Sequence, residues 1–358
     1  MINYEGLRMN LPDIRRENIK DKRVFVRCDL DVPLVGGKIG DDTRLLSAIP
    51  TIEYLLKNNA KVIIGGHLGR PKGTDKSLSL EPIARWLFKE FKIRNLKFEF
   101  KLKIENLKFT KLASFGGWEI GPNIFLLENL RFNAGEEAND PEFGKKLASL
   151  AQIYVNDAFG VCHRNNASIV AITKYLPHFA GIRLQEEVEV LGKILSNPDR
   201  PLVVVIGGEK IETKLPLVEK MLGLADYVLV GGEIASELPP AEISNKNIIV
   251  AVLNKNKTDI NSEDSLCFSG VIKDAKTVIW NGPMGVIQKI ETEKGTRQIA
   301  QSIIQSKAFS VVGGGSTVAF LRKEGFLDKF SFVSTGGGAM LSLLSGEKLP
   351  GLAALEKN

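Results

Sequence analysis

The chain has 358 residues, 44% hydrophobic and 25% charged, which is long for one ordinary core, suits two, and excludes intrinsic disorder. Its 48 Lys and Arg against 42 Asp and Glu give a net charge of +6, compatible with anionic substrates but not diagnostic of nucleic acid. Cys28, Cys162 and Cys267 are too few and too widely spaced for a disulfide framework or a zinc site. With no apolar signal core or run of ~18 apolar residues, the expectation is a soluble cytoplasmic protein.

In chain order, "RVFVRC" (23–28) reads as a first buried strand, and Asp29 and Asp31 in "RCDLDVPL" as acceptors for hydroxyls. "DLD" alone also fits part of a metal site, but as a strand-end pair whose alternation points both acids the same way it supplies no third ligand. "AIPTIEYLLKNN" (48–59) has helical periodicity, "KVIIGG" is strand-like, and "HLGRPKG" places His67 and Arg70 after it. The basic stretch 89–111 mixes Lys with Phe and reads as an amphipathic strand or helix with a solvated Lys face rather than a single-strand-binding surface. "NIFLL", the helical "PEFGKKLASLA" (141–151) and "QIYVN" follow. Arg44 in "DDTRLL", Arg131 in "LLENLRF" and Arg164 in "GVCHRNNAS" join Arg70 as arginines read at strand ends. Converging guanidiniums match the paired oxygens of carboxylate and phosphate, although any one of them alone reads as a surface ion pair. His67 and His163 suit hydrogen bonding to phosphate, proton transfer, or a purely structural role.

"LQEEVEVLGKILSNPDRP" (184–201) is strongly helical and ends in Asn-Pro and Arg-Pro, so it is read as an inter-domain helix over 184–200. It divides an N-terminal domain (1–183) from a C-terminal domain (201–345). Beyond it, glycine-ended strands cluster: "LVVVIGG", "YVLVGG", "IIVAV", "TVIWNG", "SVVGGG", with "TEKGTRQIAQSIIQ" (292–305) helical between the last two. Strands alternating with helices predict an α/β protein of two doubly wound, parallel, Rossmann-like sheets joined by a helix, with a cleft between the domains and ligands beyond the carboxyl ends of the strands. Lys210 and Lys214 in "GGEKIETK" lie one helical turn apart and are expected on one face, flanking a transferring phosphoryl group. "VVGGGSTVAF" (311–320) is a strand, a glycine turn and a helix start, where backbone N–H groups approach an anion closely. "FVSTGGGAML" (332–341) repeats the pattern, and two such starts suggest a polyphosphate ligand, although either alone also reads as a tight turn. The acid that Mg²⁺ prefers is missing from the first, which offers Ser316 and Thr317. Neither a P-loop nor the spaced glycines of a nicotinamide dehydrogenase are present.

Taken in order, "VRCDLDVPL", "HLGRPKG", "LLENLRFNAGEE", "YVNDAFGVCHR", "GGEKIETK", "IWNGPMGV", "GGGSTVAF" and "STGGGAMLSLLSGEKLPGLAAL" resemble the 3-phosphoglycerate kinase family over nearly the whole chain. The resemblance implies a monomeric, hinge-bending transferase that moves a phosphoryl group between 1,3-bisphosphoglycerate and ADP, giving 3-phosphoglycerate and ATP with Mg²⁺. It implies no nucleic-acid or membrane partner. It implies a glycerate site of Asp29, Asp31, Arg44, His67, Leu68, Gly69, Arg70, Arg131 and Arg164. The implied nucleotide site is Lys214, Asn281, Gln288, Gly313, Gly314, Gly315, Ser316 and Thr317, with Arg44, Lys210 and Lys214 stabilising the transferring group. The tail 346–358 is expected to return to the first domain. Three departures stand out: Ser316 replaces the family's metal-side Asp, Gln288 its ribose-side Glu, and Asp31 its Asn. The stretch 233–276 is also much shorter than usual. An active kinase with altered nucleotide contacts is the first expectation; a phosphoglycerate-binding relative without normal MgATP handling is the alternative.

Overall fold

The computed structural model describes residues 11–94, 107–238 and 247–356. Most of the basic stretch 89–111 and part of 233–276 lie outside them. The chain divides into two compact units, one running to Val188 and taking in the C-terminal stretch from Lys348, the other spanning Glu189–Glu347.

The first unit contains β1 (Arg23–Cys28), the small hairpin β2 (Leu34–Val35) and β3 (Lys38–Ile39), α1 (Thr43–Lys57), β4 (Lys61–Gly65), α2 (Glu81–Ile93), β5 (Phe109–Leu112), β6 (Phe115–Gly121), β7 (Ile124–Leu127), α3 (Ala134–Glu137), α4 (Pro141–Ala148), β8 (Ile153–Asp157) and β9 (His178–Ala180). Its sheet runs β5-β6-β7-β4-β1-β8-β9. Strands β7, β4, β1, β8 and β9 are parallel, but β6 is antiparallel to both β5 and β7. The sheet is therefore mixed, not wholly parallel as expected. The two-residue connections from β5 to β6 and from β6 to β7 leave no length for a crossover helix.

Central β1 is buried along Val24–Cys28 because helices cover both faces. Its register pairs Arg27 with Gly65 and with Asn156, and Cys28 with Asp157, so the turns leaving β1, β4 and β8 emerge at one edge. Helix α1 begins at Thr43 and carries Pro50 in its interior. Arg44 thus sits in the first turn of a helix, not at a strand end as the sequence reading had it. The C-terminal stretch adds the short α11 (Pro350–Ala353), with Leu349, Leu352 and Leu355 buried and Gly351 N–H donating to Cys162 O at 2.9 Å.

Helix α5 (Ile182–Ser196) follows β9 and crosses the boundary between the units. The buried carboxylate of Asp157 accepts from Leu184 N–H at 3.2 Å in its first turn. Burial pushes Asp157 up to about 7 against those hydrogen bonds.

The second unit contains β10 (Leu202–Ile206), α6 (Ile211–Leu222), β11 (Tyr227–Val230), β12 (Ile248–Val250), α7 (Ser262–Lys273), β13 (Thr277–Asn281), α8 (Lys294–Ser306), β14 (Phe309–Gly313), α9 (Gly315–Lys323), β15 (Phe332–Val333) and α10 (Gly337–Leu344). Its sheet, β12-β11-β10-β13-β14-β15, is parallel throughout. β10 is a continuous apolar run buried at every position, as a strand covered on both faces requires. The order reverses between β10 and β13, and ligands of doubly wound sheets bind at such a switch point. Register places Asn281 beside Ile206 and Gly313, so three strand ends with their glycine turns converge there.

Candidate active site

At the carboxyl edge of the first sheet, Asp29 follows β1 and is buried, while Asp31 is half-exposed. Both reach Arg44 of α1: its Nη1 donates to Asp31 O at 2.8 Å and lies 3.4 Å from Asp29 Oδ1 and 3.9 Å from Asp31 Oδ2. The arginine draws the two acids together, and among the described residues no cluster of three His, Cys, Asp or Glu stands ready for a metal. Asp29 Oδ2 is buried with no hydrogen-bond partner among the described residues. A buried carboxylate oxygen in that condition is costly unless a ligand hydroxyl or water reaches it.

Gly69 organises the next segment. Its φ of +65° lies in the left-handed region, and a Cβ there would stand 2.8 Å from Leu78 Cδ2. That conformation lets Gly69 N–H donate to Asp31 Oδ1 at 2.8 Å while its carbonyl accepts from Arg131 Nη1 at 2.7 Å. Leu68 is buried, and its carbonyl accepts from Asn129 Nδ2 at 2.8 Å, so Asn129 ties this segment to the turn after β7. Gly69→Ala should therefore cost roughly 1–2 kcal/mol of stability through backbone strain and contact with Leu78. It should also displace Asp31 and Arg131, which Gly69 holds through its N–H and its carbonyl. Thermal unfolding of the variant checks this, and an unchanged melting temperature would mean that the backbone takes the side chain without strain.

His67 is buried, with Nδ1 2.9 Å from Arg27 Nη2 and Nε2 3.8 Å from Asp31 Oδ2. Burial, then the charges of Arg27, Arg131, Arg44 and Arg164, hold its pKa well below the usual imidazole range. Of the four guanidinium charges that act on the ring, that of Arg27 is in hydrogen-bond contact with it. Arg131 is itself buried, with Nε 3.3 Å from Glu137 Oε1; Arg164 is half-buried and Arg70 exposed. Arg27 was absent from the sequence reading. Its signal was present, since a charged residue interrupts an apolar run destined for the sheet centre.

In the second unit the cradle forms at the switch point. Gly314, at φ +93°, caps α9, and a Cβ there would lie 3.4 Å from the Asn281 amide. Asn281 is buried; its Oδ1 accepts from Lys214 Nζ, whereas Nδ2 has no hydrogen-bond partner among the described residues. An unpaired buried amide donor and the positive end of a nine-residue helix thus lie together, and that pairing suits an anion. Gly313 is buried and Gly315 exposed. Ser316 is exposed at the start of α9; Thr317 is buried and its Oγ1 accepts from Gly282 N–H at 3.1 Å.

Lys210 and Lys214 do not share a face. Lys210 is the exposed, extended residue preceding α6, while Lys214 is buried within it. The helix begins one residue too late for the expected spacing to apply. Desolvation lowers the pKa of Lys214 to about 8. A cavity lined by Gly208, Glu209, Gly232, Glu233, Pro283 and Met284 adjoins it, since a Cβ on Gly208 would lie 4.0 Å from Lys214 Cε. Gln288 is exposed in the turn beyond β13.

The family model described as phosphoglycerate kinase matches residues 14–248 and 241–347. Curated phosphoglycerate kinases of Leptospira biflexa and Dictyoglomus turgidum are 38% and 37% identical over 396 and 399 residues, covering 97% and 96% of this chain and 98% of each relative. Both alignments exceed the 358 residues of the chain, so the relatives carry insertions that it lacks. Among solved structures, phosphoglycerate kinase from Coxiella burnetii superposes with TM-score 0.78 at 34% identity, and that from Pyrococcus horikoshii with 0.80 at 30%. Each match covers 96% of this chain and 98% of the other.

Proposed function

The chain belongs to the phosphoglycerate kinase family, and on that premise we propose how its residues divide the work. The reaction is reversible phosphoryl transfer between 1,3-bisphosphoglycerate and ADP, giving 3-phosphoglycerate and ATP. Such transfer asks for positioning and charge stabilisation and needs no protein nucleophile.

The first unit holds the glycerate. Asp29 Oδ2 accepts from its hydroxyl, His67 Nε2–H donates to it, and Arg44, Arg131 and Arg164, with Arg70 at the rim, grip its carboxyl and phosphate oxygens in pairs. The second unit holds the nucleotide. Its phosphates take the N-terminus of α9 and Asn281 Nδ2, its base the cavity beside Gly208 and Gly232, and its ribose the side bearing Gln288. Arg44, Lys210 and Lys214 meet the charge on the migrating group. The observation that carries this reading is the unpaired Asn281 Nδ2 at the α9 N-terminus beside Lys214, which also argues against the alternative of a lost nucleotide site. A coupled assay with 3-phosphoglycerate and MgATP tests it, and folded protein silent with ATP and with other nucleoside triphosphates defeats it.

The cradle residues fit a polyphosphate. They do not make a protein cage for Mg²⁺, because Ser316 is the one exposed hydroxyl of the turn and Thr317 is engaged with Gly282. When bound with the nucleotide, Mg²⁺ supplies charge neutralisation between the phosphates, and Ser316 is placed to meet its hydration shell. Ser316→Asp is therefore expected to tighten ADP binding about tenfold with Mg²⁺ present and to weaken it without, since the new carboxylate then faces bare phosphate. Calorimetry with and without Mg²⁺ separates the two, and equal affinities for both proteins in both conditions would remove Ser316 from the metal side. The free cysteines, with Cys267 exposed, support placing the enzyme in a reducing cytoplasm, and we read it as a monomer without nucleic-acid or membrane partners. No described helix is long and apolar enough to cross a membrane.

A further inference from the structure

Behind the glycerate site lies a buried chain of polar groups that the roles above do not use. Glu136 of α3 is fully buried; its Oε2 accepts from Ser168 N–H at 2.9 Å and its Oε1 from Ser168 Oγ at 2.6 Å. With its hydroxyl proton committed to Glu136, Ser168 Oγ keeps its lone pairs for Arg27, whose Nε donates to it at 2.8 Å. Arg27 is also buried; its Nη1 donates to Cys28 O, and Nη2 lies 2.9 Å from His67 Nδ1.

Every direction in this chain is forced. A guanidinium has no acceptor, so His67 Nδ1 accepts from Arg27, and the ring proton of the neutral imidazole sits on Nε2. Nε2 is the atom that faces Asp31. The buried negative charge of Glu136 stands one hydroxyl away from the buried positive charge of Arg27, and each offsets part of the other's desolvation.

The geometry points to Glu136 and Ser168 as positioning residues for phosphoryl transfer: through Arg27 they lock His67 as a neutral Nε2–H donor aimed at the glycerate ligand. The inference rests on the assignment of His67 to the glycerate site. It makes His67 a fixed donor and not a proton shuttle. The charged groups bearing on the ring are Arg27, Arg131, Arg44 and Arg164, with Asp31 at Nε2. The four cations oppose a proton on Nδ1, so the ring keeps one state across the physiological pH range.

The test is long-range ¹H–¹⁵N NMR of the His67 ring in the full-length enzyme, together with steady-state kinetics of Ser168→Ala and Glu136→Gln. In wild-type protein Nδ1 should be unprotonated and Nε2 protonated from pH 5.5 to 8, and 3-phosphoglycerate should shift the Nε2 signal. Ser168→Ala withdraws the acceptor of Arg27 Nε. Glu136→Gln presents its amide to Ser168 Oγ and reverses the first link. Each should let the Arg27 fork turn away from Nδ1, yield mixed tautomers of the ring, and raise KM for 3-phosphoglycerate about tenfold with a smaller change in kcat. A mixed or titrating ring in the wild type overturns the relay itself. A locked ring that ignores 3-phosphoglycerate overturns the proposal by removing His67 from the glycerate site. Two folded variants with wild-type spectra and KM overturn the roles of Ser168 and Glu136.

Discussion

Lys214→Met is expected to lower kcat by about 10³-fold while leaving the protein folded. A single preorganised cation or donor aimed at developing charge typically supplies 10²–10³ in rate, and phosphoryl transfer concentrates its charge demand on the migrating group. Methionine keeps the apolar stem that α6 buries, so the loss isolates the ammonium. The pH dependence carries a second signature. The folded-state pKa of Lys214, about 8, lies below the value of 10.5 for free lysine, so the folded protein binds this proton less tightly than the unfolded chain does. Its contribution to stability is therefore least favourable below about pH 8, improves as the pH rises toward 10.5, and should vanish from the pH profile of Lys214→Met. Activity runs the other way: kcat/KM for nucleotide should fall as the pH rises through about 8, because a neutral amine does not stabilise phosphoryl charge. Bound polyphosphate returns the proton, so ADP binding near pH 8–9 should take up protons in the wild type and not in the variant. Calorimetry in buffers of different ionisation enthalpy measures this, and a kcat within tenfold of wild type would exclude Lys214 from the transition state.

Arg44→Ala should cost a further 10²–10³-fold in kcat and raise KM for 3-phosphoglycerate. Its Nη1 is engaged with the Asp31 carbonyl and lies beside Asp29, and among the described residues its other two nitrogens have no hydrogen-bond partner. Its side chain is 31% exposed, so truncation opens no large cavity, but it strips the buried Asp29 of its cation and should lower the melting temperature. The variant does leave Asp29 buried beside Asp31 without its cation, and the two acids should spread, loosening the acceptor that meets the ligand hydroxyl. Arg44→Lys restores charge without the planar fork and should recover only part of the loss. Full recovery by lysine would mean that Arg44 acts as a point charge rather than as a paired donor.

The glycine-ended apolar runs were legible as strands because a segment buried on both faces is apolar at every position, a local property that needs no partner. The family likeness was legible in the order of short motifs, and the strand–glycine–helix turn at 313–317 in three consecutive glycines after an apolar run. What the chain did not show locally was direction and distance. Nothing in "FTKLASFGGWEIG" announces that β6 runs against its neighbours, because an edge hairpin and a buried parallel strand share β propensity and differ only in the length of their connections.

The linear sequence thus determined two α/β units, the arginines of the first, a glycine-rich helix start in the second and the absence of an acid at Ser316. Tertiary structure alone decided which groups meet and in which protonation state. Arg27, His67, Glu136 and Ser168 are separated by up to 141 positions and become neighbours only when the β1–β4–β8 register is set. Burial made Lys214 weakly basic while its near neighbour Lys210 stayed in water. Residue type sets a range of chemistry; desolvation and the charges packed around a group select one state within it.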